Sequence, residues 1–147
     1  MRWQAKSAIL CLLLSVAPAF AASDQTLQQL EAKASSASLE DRVQICLEVA
    51  ERQLKAADNE FKAGQVEEAH ATIKDVVWYA GQARDASIQS GKRVKNTEIG
   101  VRKLATKVRE IKRTVNFDDQ APLQSASDEL EKIRTDLLSH MFAKEGR

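Results

Sequence analysis

Few side chains in this sequence have chemistry to offer: two histidines, two cysteines, two tryptophans and one tyrosine among 147 residues. Glu67 and His70 stand in Glu67-Glu68-Ala69-His70. This Glu-x-x-His spacing puts a carboxylate and an imidazole on neighbouring helical turns in di-iron bundles. Such a site needs a second Glu-x-x-His and further inward glutamates, and the chain has no second copy of the motif. Turning a helix by about 100° per residue places both side chains off the apolar stripe, facing solvent. His140 and Met141 adjoin one another near the C-terminus, which suits a core methionine with a flanking histidine better than a pair of haem ligands. Without Cys-x-x-Cys-His, covalent haem attachment is excluded. No cofactor and no metal site follows.

Nucleophilic catalysis wants a Ser or Cys beside a base that is itself oriented by an acid. Cys46 has no histidine on a shared helical face, no glycine-rich phosphate loop is present, and the apolar stripes hold no carboxylates. The sequence predicts a protein that is not an enzyme. Cys46 flanks an apolar stripe, where it is an inert small hydrophobe if buried. If exposed, it could form an intermolecular disulfide.

The residues left are ones that bind. Trp78 falls opposite the centre of its helix's stripe, flanked by Val77 and Tyr79, and Ile45 lies on the back of the preceding helix. An outward tryptophan offers a large rigid surface and one N–H donor, the profile of an interface anchor. From Lys92 to Asn116 there are nine basic residues against two acidic ones, whereas four basic residues oppose seven acidic ones from Phe117 onward. Arg102, Lys103, Lys107, Arg109 and Arg113 point away from the stripe of their helix. They suit an anionic partner, or else form a solvated face neutralised by neighbouring acidic helices.

These side chains are positioned by repeating apolar stripes. Val43, Leu47, Ala50, Leu54, Ala57 and Phe61 recur at four and three, as do Val66, Ala69, Ile73, Val76, Ala80 and Ala83. At about 3.6 residues per turn each set lines one side of a helix. Gly64 lies between them, able to take the left-handed conformation that ends a helix. The two helices form an antiparallel hairpin. A third helix carries Val101, Leu104, Val108, Ile111 and Val115, with Asn96 or Thr97 as its cap. A fourth carries Leu123, Ala126, Leu130, Ile133, Leu137 and Met141, with Pro122 at its first position. The turn Ala63-Gly64-Gln65-Val66-Glu67-Glu68-Ala69 looks like the inter-helix turn of tetratricopeptide repeats. Helices of about 25 residues, roughly twice the length such repeats use, and a single occurrence exclude them.

Upstream, Met1 to Lys6 is short and basic, Ala8 to Val16 is apolar, and Ala19-Phe20-Ala21 offers small residues for cleavage after Ala21. This is the layout of a Sec-type signal peptide, and it predicts a periplasmic or secreted protein. The apolar run is too short to span a bilayer. Cleavage removes Arg2 and Lys6 and leaves 20 basic against 21 acidic side chains. That balance recruits neither nucleic acid nor an anionic membrane. It also leaves Cys46 as the one thiol, so packing and not disulfides must hold the fold.

The sequence therefore predicts an all-α protein: an antiparallel up-down bundle of three to four long amphipathic helices. Residues 1–21 are a cleaved signal peptide, 22–38 a flexible N-terminal arm and 39–147 the bundle domain. Its expected role is non-enzymatic, as a binding or scaffolding protein that meets another protein or an anionic envelope component, or a second copy of itself as a homodimer. Carriage of a small ligand or metal within the bundle is the alternative. The order of the helices around the bundle is left open.

Overall fold

The computed structural model describes residues 25–146, so the expected signal peptide lies outside the described residues. Five helices follow in order: α1 (Leu27–Ser36), α2 (Leu39–Lys62), α3 (Val66–Ser90), α4 (Val94–Lys112) and α5 (Gln120–Glu145). A 3-10 turn, Phe117–Asp119, precedes α5. Among the described residues the fold is an all-α bundle.

The turn between α2 and α3 has a specific local cause. Gly64 has φ +77°, its N–H donates to the Phe61 carbonyl, and the Gln65 N–H donates to the Glu60 carbonyl at 2.9 Å. This is the paired closure that satisfies the last carbonyls of a helix. Glu67 and Glu68 then occupy the first turn of α3, where the dipole favours carboxylates. α2 itself is capped by Ser38, whose hydroxyl accepts from the Asp41 N–H.

Two hairpins result, α2 with α3 and α4 with α5, and they lie side by side. Across the junction α2 flanks α4 and α3 flanks α5. Three contacts fix the register. Glu40 meets Lys92 at 2.9 Å, Leu47 meets Gly100, and Arg84 meets Asp136 at 3.0 Å. Each pair is separated by a similar number of residues, so α2 runs parallel to α4 and α3 parallel to α5. Between them the stripes form one core, with Leu54, Ile73, Val76, Val101, Leu104, Val108, Leu123, Leu130 and Leu137 all at or below 4% exposure. Burying aliphatic side chains of this size contributes roughly 1.5–3 kcal/mol each.

Four local expectations are corrected. The segment expected as a loose arm contains α1, a helix opened by a Thr26–Gln29 capping box. Its Leu30 and Ala34 are buried against Ile45, Cys46, Val49 and Ala83. α4 starts at Val94 and not at an Asn96 or Thr97 cap. Arg93 takes the left-handed conformation (φ 58°) at its N-cap, and Thr97 is fully buried, its hydroxyl returned to the Arg93 carbonyl at 2.9 Å. α5 begins at Gln120, two residues before Pro122, because the 3-10 turn leads directly into it. His70, expected in solvent, is half-buried against the edge of Phe61 with ring centroids 5.5 Å apart.

Candidate functional site

Trp78 projects from the outer side of α3 and is 57% exposed. Its stripe neighbours Val76 and Ala80 are fully buried, so helical geometry forces the intervening side chains outward or sideways. Tyr79 turns sideways and is half-buried, and the two rings meet edge to face at 4.7 Å with an interplanar angle of 89°. The indole is thus braced from one side and open to solvent on the other. Burial raises the Tyr79 phenol above its ordinary value, helped by the negative fields of Glu31, Cys46 and Asp75.

Beside this ring pair an open groove of about 130 Å³ runs between α1 and α3, with Glu31, Arg42, Cys46, Gln82 and both aromatic residues along it. Cys46 is a free thiol, 1% exposed at its base. Burial pushes its pKa up to about 11 against the opposing pull of Arg42. A thiol so placed is neither nucleophilic nor able to meet a second chain, which removes the surface disulfide as long as α1 is in place. Ile45, expected on an exposed back face, is 7% exposed because α1 covers it. It belongs to the packing between α1 and α2, against which Tyr79 rests, and not to an outer surface.

The basic face of α4 divides in two. Arg109 is paired to Glu131 of α5 at 2.8 Å, Lys107 to Glu110 at 3.1 Å, and Arg102 lies 4.0 Å from Glu98. The hydrogen bond from Arg109 holds the Glu131 carboxyl below its ordinary value, outweighing the opposite effect of burial. Lys103 and Arg113 are exposed and make no salt bridge among the described residues. Lys103 and Lys107 also flank an open groove of about 420 Å³ between α2 and α4, floored by Leu54 and Leu104. Trp78 on α3 and these lysines on α4 lie on separate helices and line different grooves.

Only one of the two histidines has a polar partner, for His140 Nε2 is buried without a hydrogen bond among the described residues. His70 Nε2 lies 3.3 Å from the Asp119 carbonyl, at the junction of α3 with the 3-10 turn. Glu67 is exposed. His140 and Met141 are both half-buried near the end of α5. Among the described residues no group of three or more His, Cys, Asp or Glu side chains is disposed to hold a metal, and no helix is long and apolar enough to cross a membrane.

Sequence reasoning overlooked the side chains that seat α1. The Arg42 guanidinium donates to the carbonyls of Ala34 (3.0 Å), Ser35 (3.4 Å) and Ala37 (3.2 Å). Arg52 donates to the Gln25 carbonyl at 2.6 Å, and the Gln53 amide to Glu31 at 2.9 Å. It also overlooked two exposed aromatics, Phe117 in the 3-10 turn and Phe142 near the end of α5. The signals were there in part: Phe117 sits in a polar link, and Phe142 falls one residue past the last stripe position.

No protein-family model matches this chain, and no curated protein or solved structure matches it either.

Proposed function

We propose that the chain is an exported, non-enzymatic helical protein that binds a protein or an anionic envelope component. Its principal surface is the outward side of α3 at Trp78, with Lys103 and Arg113 of α4 as a secondary basic face. The export signal is the N-terminal segment cleaved after Ala21, which delivers the mature chain to the periplasm or the exterior.

One observation carries this reading. A tryptophan 57% exposed and braced edge-on by Tyr79 costs little ordering entropy on binding and offers a large apolar area. The interior supports the same view, since aliphatic side chains fill it and the open spaces are grooves between helices. Binding from outside needs no rearrangement of that core. Carriage within it does.

Native mass spectrometry of the processed chain, recovered gently from its own envelope fraction, tests the proposal. The wild type is expected to carry an associated partner mass that Trp78→Ala loses while keeping its helical circular dichroism. A bare monomer for both proteins, or an adduct indifferent to Trp78, contradicts it.

A further inference from the structure

We propose that α1 is a strap that opens on its own while α2 to α5 stay folded, and that its opening bares the Ile45–Cys46–Val49 face of α2. This inference does not rest on Trp78 being a binding site.

α1 stands apart from the main core. The cluster formed by α2 to α5 contains none of its residues, and α1 rests on a separate, smaller cluster of Ile45, Cys46, Val49 and Ala83. Only Leu30 and Ala34 of its ten residues are buried. A helix of ten residues does not persist alone in water, so α1 is helical only while it is seated. Regions with few buried apolar contacts and solvent-exposed hydrogen bonds open at a fraction of the global unfolding cost.

Two of its five side-chain fastenings are of that kind, while those from Arg42 to Ala34 and Ala37 and from Gln53 to Glu31 are part-buried. Arg52 holds the Gln25 carbonyl at an exposed position, and one arm of Arg42 holds the Ser35 carbonyl at another. Water can replace both. The hinge is also clean. Ala37 and Ser38 are extended, with ψ 155° and 158°, and link the two helices directly. The α2 N-terminus is capped by its own Ser38 hydroxyl and needs nothing from α1. Departure of α1 therefore leaves no orphaned helix end in the body. What it uncovers borders Tyr79 and Trp78, which share the groove between α1 and α3 with Cys46.

Cys46 reports the opening, because the thiol is 1% exposed when α1 is seated. The experiment is alkylation of the full chain by iodoacetamide, with modification of Cys46 followed by peptide mass so that Cys11 does not contribute. Leu30→Ala is expected to speed Cys46 alkylation by about tenfold or more, and Arg42→Ala by several-fold. Leu130→Ala weakens the body and not the strap, so it should leave the rate within about twofold of wild type. Ile133→Val serves the same purpose if Leu130→Ala fails to fold. Acceleration by the body variants in step with their loss of global stability would show that Cys46 is reached only by complete unfolding, and would overturn the strap. A rate indifferent to Leu30→Ala would overturn it too, since the thiol would then be reached without displacing α1.

Discussion

Glu98 of α4 is 7% exposed, and its carboxylate accepts from Arg134 Nε of α5 at 2.7 Å. Arg134 also reaches Glu131 at 3.3 Å, and Glu131 in turn accepts from Arg109 at 2.8 Å. The basic side of α4 is thus partly consumed in closing its own hairpin. The excess positive charge legible in the sequence overstates what a partner would meet.

From this follows the first prediction. Glu98→Ala removes the buried partner of Arg134 and should lower the urea midpoint. Glu98→Gln, which still accepts a hydrogen bond, should cost less. Urea unfolding followed by circular dichroism measures both. Equal stability of Glu98→Ala and wild type would contradict the pairing.

Acid should weaken the fold in a defined window. Glu131 is held below the ordinary carboxylate value of 4.5 by the Arg109 hydrogen bond, and Glu40 by its hydrogen bond from Lys92. Because the unfolded chain binds these protons more readily, the stabilisation is fully present above about pH 4.5 and is lost as pH falls through the lower folded values. The urea midpoint should stay level from neutral pH down to about 5 and fall below that. Glu131→Gln should shrink the fall. A level midpoint down to about pH 3 would run against the assignment.

Gly100 governs how closely the hairpins approach. A Cβ there would lie 3.0 Å from both δ carbons of Leu47. Gly100→Val adds two methyls beyond a Cβ already crowded by Leu47 and should destabilise by about 1–3 kcal/mol, even though it removes a glycine from a helix. Gly100→Val paired with Leu47→Ala should regain part of the loss, the mark of two residues in contact. Thermal unfolding of the three variants decides it.

How much of this was legible depends on which residues faced their own helix and which faced another. The stripes through Val43, Ile73, Leu104 and Leu130 are repeated over many turns, so periodicity alone located the four long helices. Gly64 marked their first turn because a left-handed residue has few substitutes. α1 was hidden because Leu27, Leu30 and Ala34 sit in a serine- and alanine-rich stretch, and its order comes from Cys46, Val49 and Arg42, more distant in sequence. Ile45 and His70 were misplaced for the same reason: α1 covers one and Phe61 the other. The parallel pairing of α2 with α4 leaves no periodic trace, being written only in single contacts such as Leu47 with Gly100.

The aromatic surface makes an optical prediction. On the proposed cleavage after Ala21, Trp3 is lost and Trp78 is the sole tryptophan of the processed chain. Its emission should lie close to that of free tryptophan and be readily quenched by acrylamide. It should shift to shorter wavelength when a partner covers the indole. A blue-shifted, protected emission from the free chain would contradict its exposure.

The central claim, that the outer side of α3 at Trp78 is a binding surface, is tested most directly by photo-crosslinking in the source cell. A photoreactive phenylalanine analogue is placed at position 78 and, separately, at Gln89 and Glu129, which are exposed elsewhere on α3 and α5. One discrete adduct from position 78, absent or much weaker from the other two, is the predicted result. Adducts of equal yield from all three positions, or none from position 78, would contradict the account.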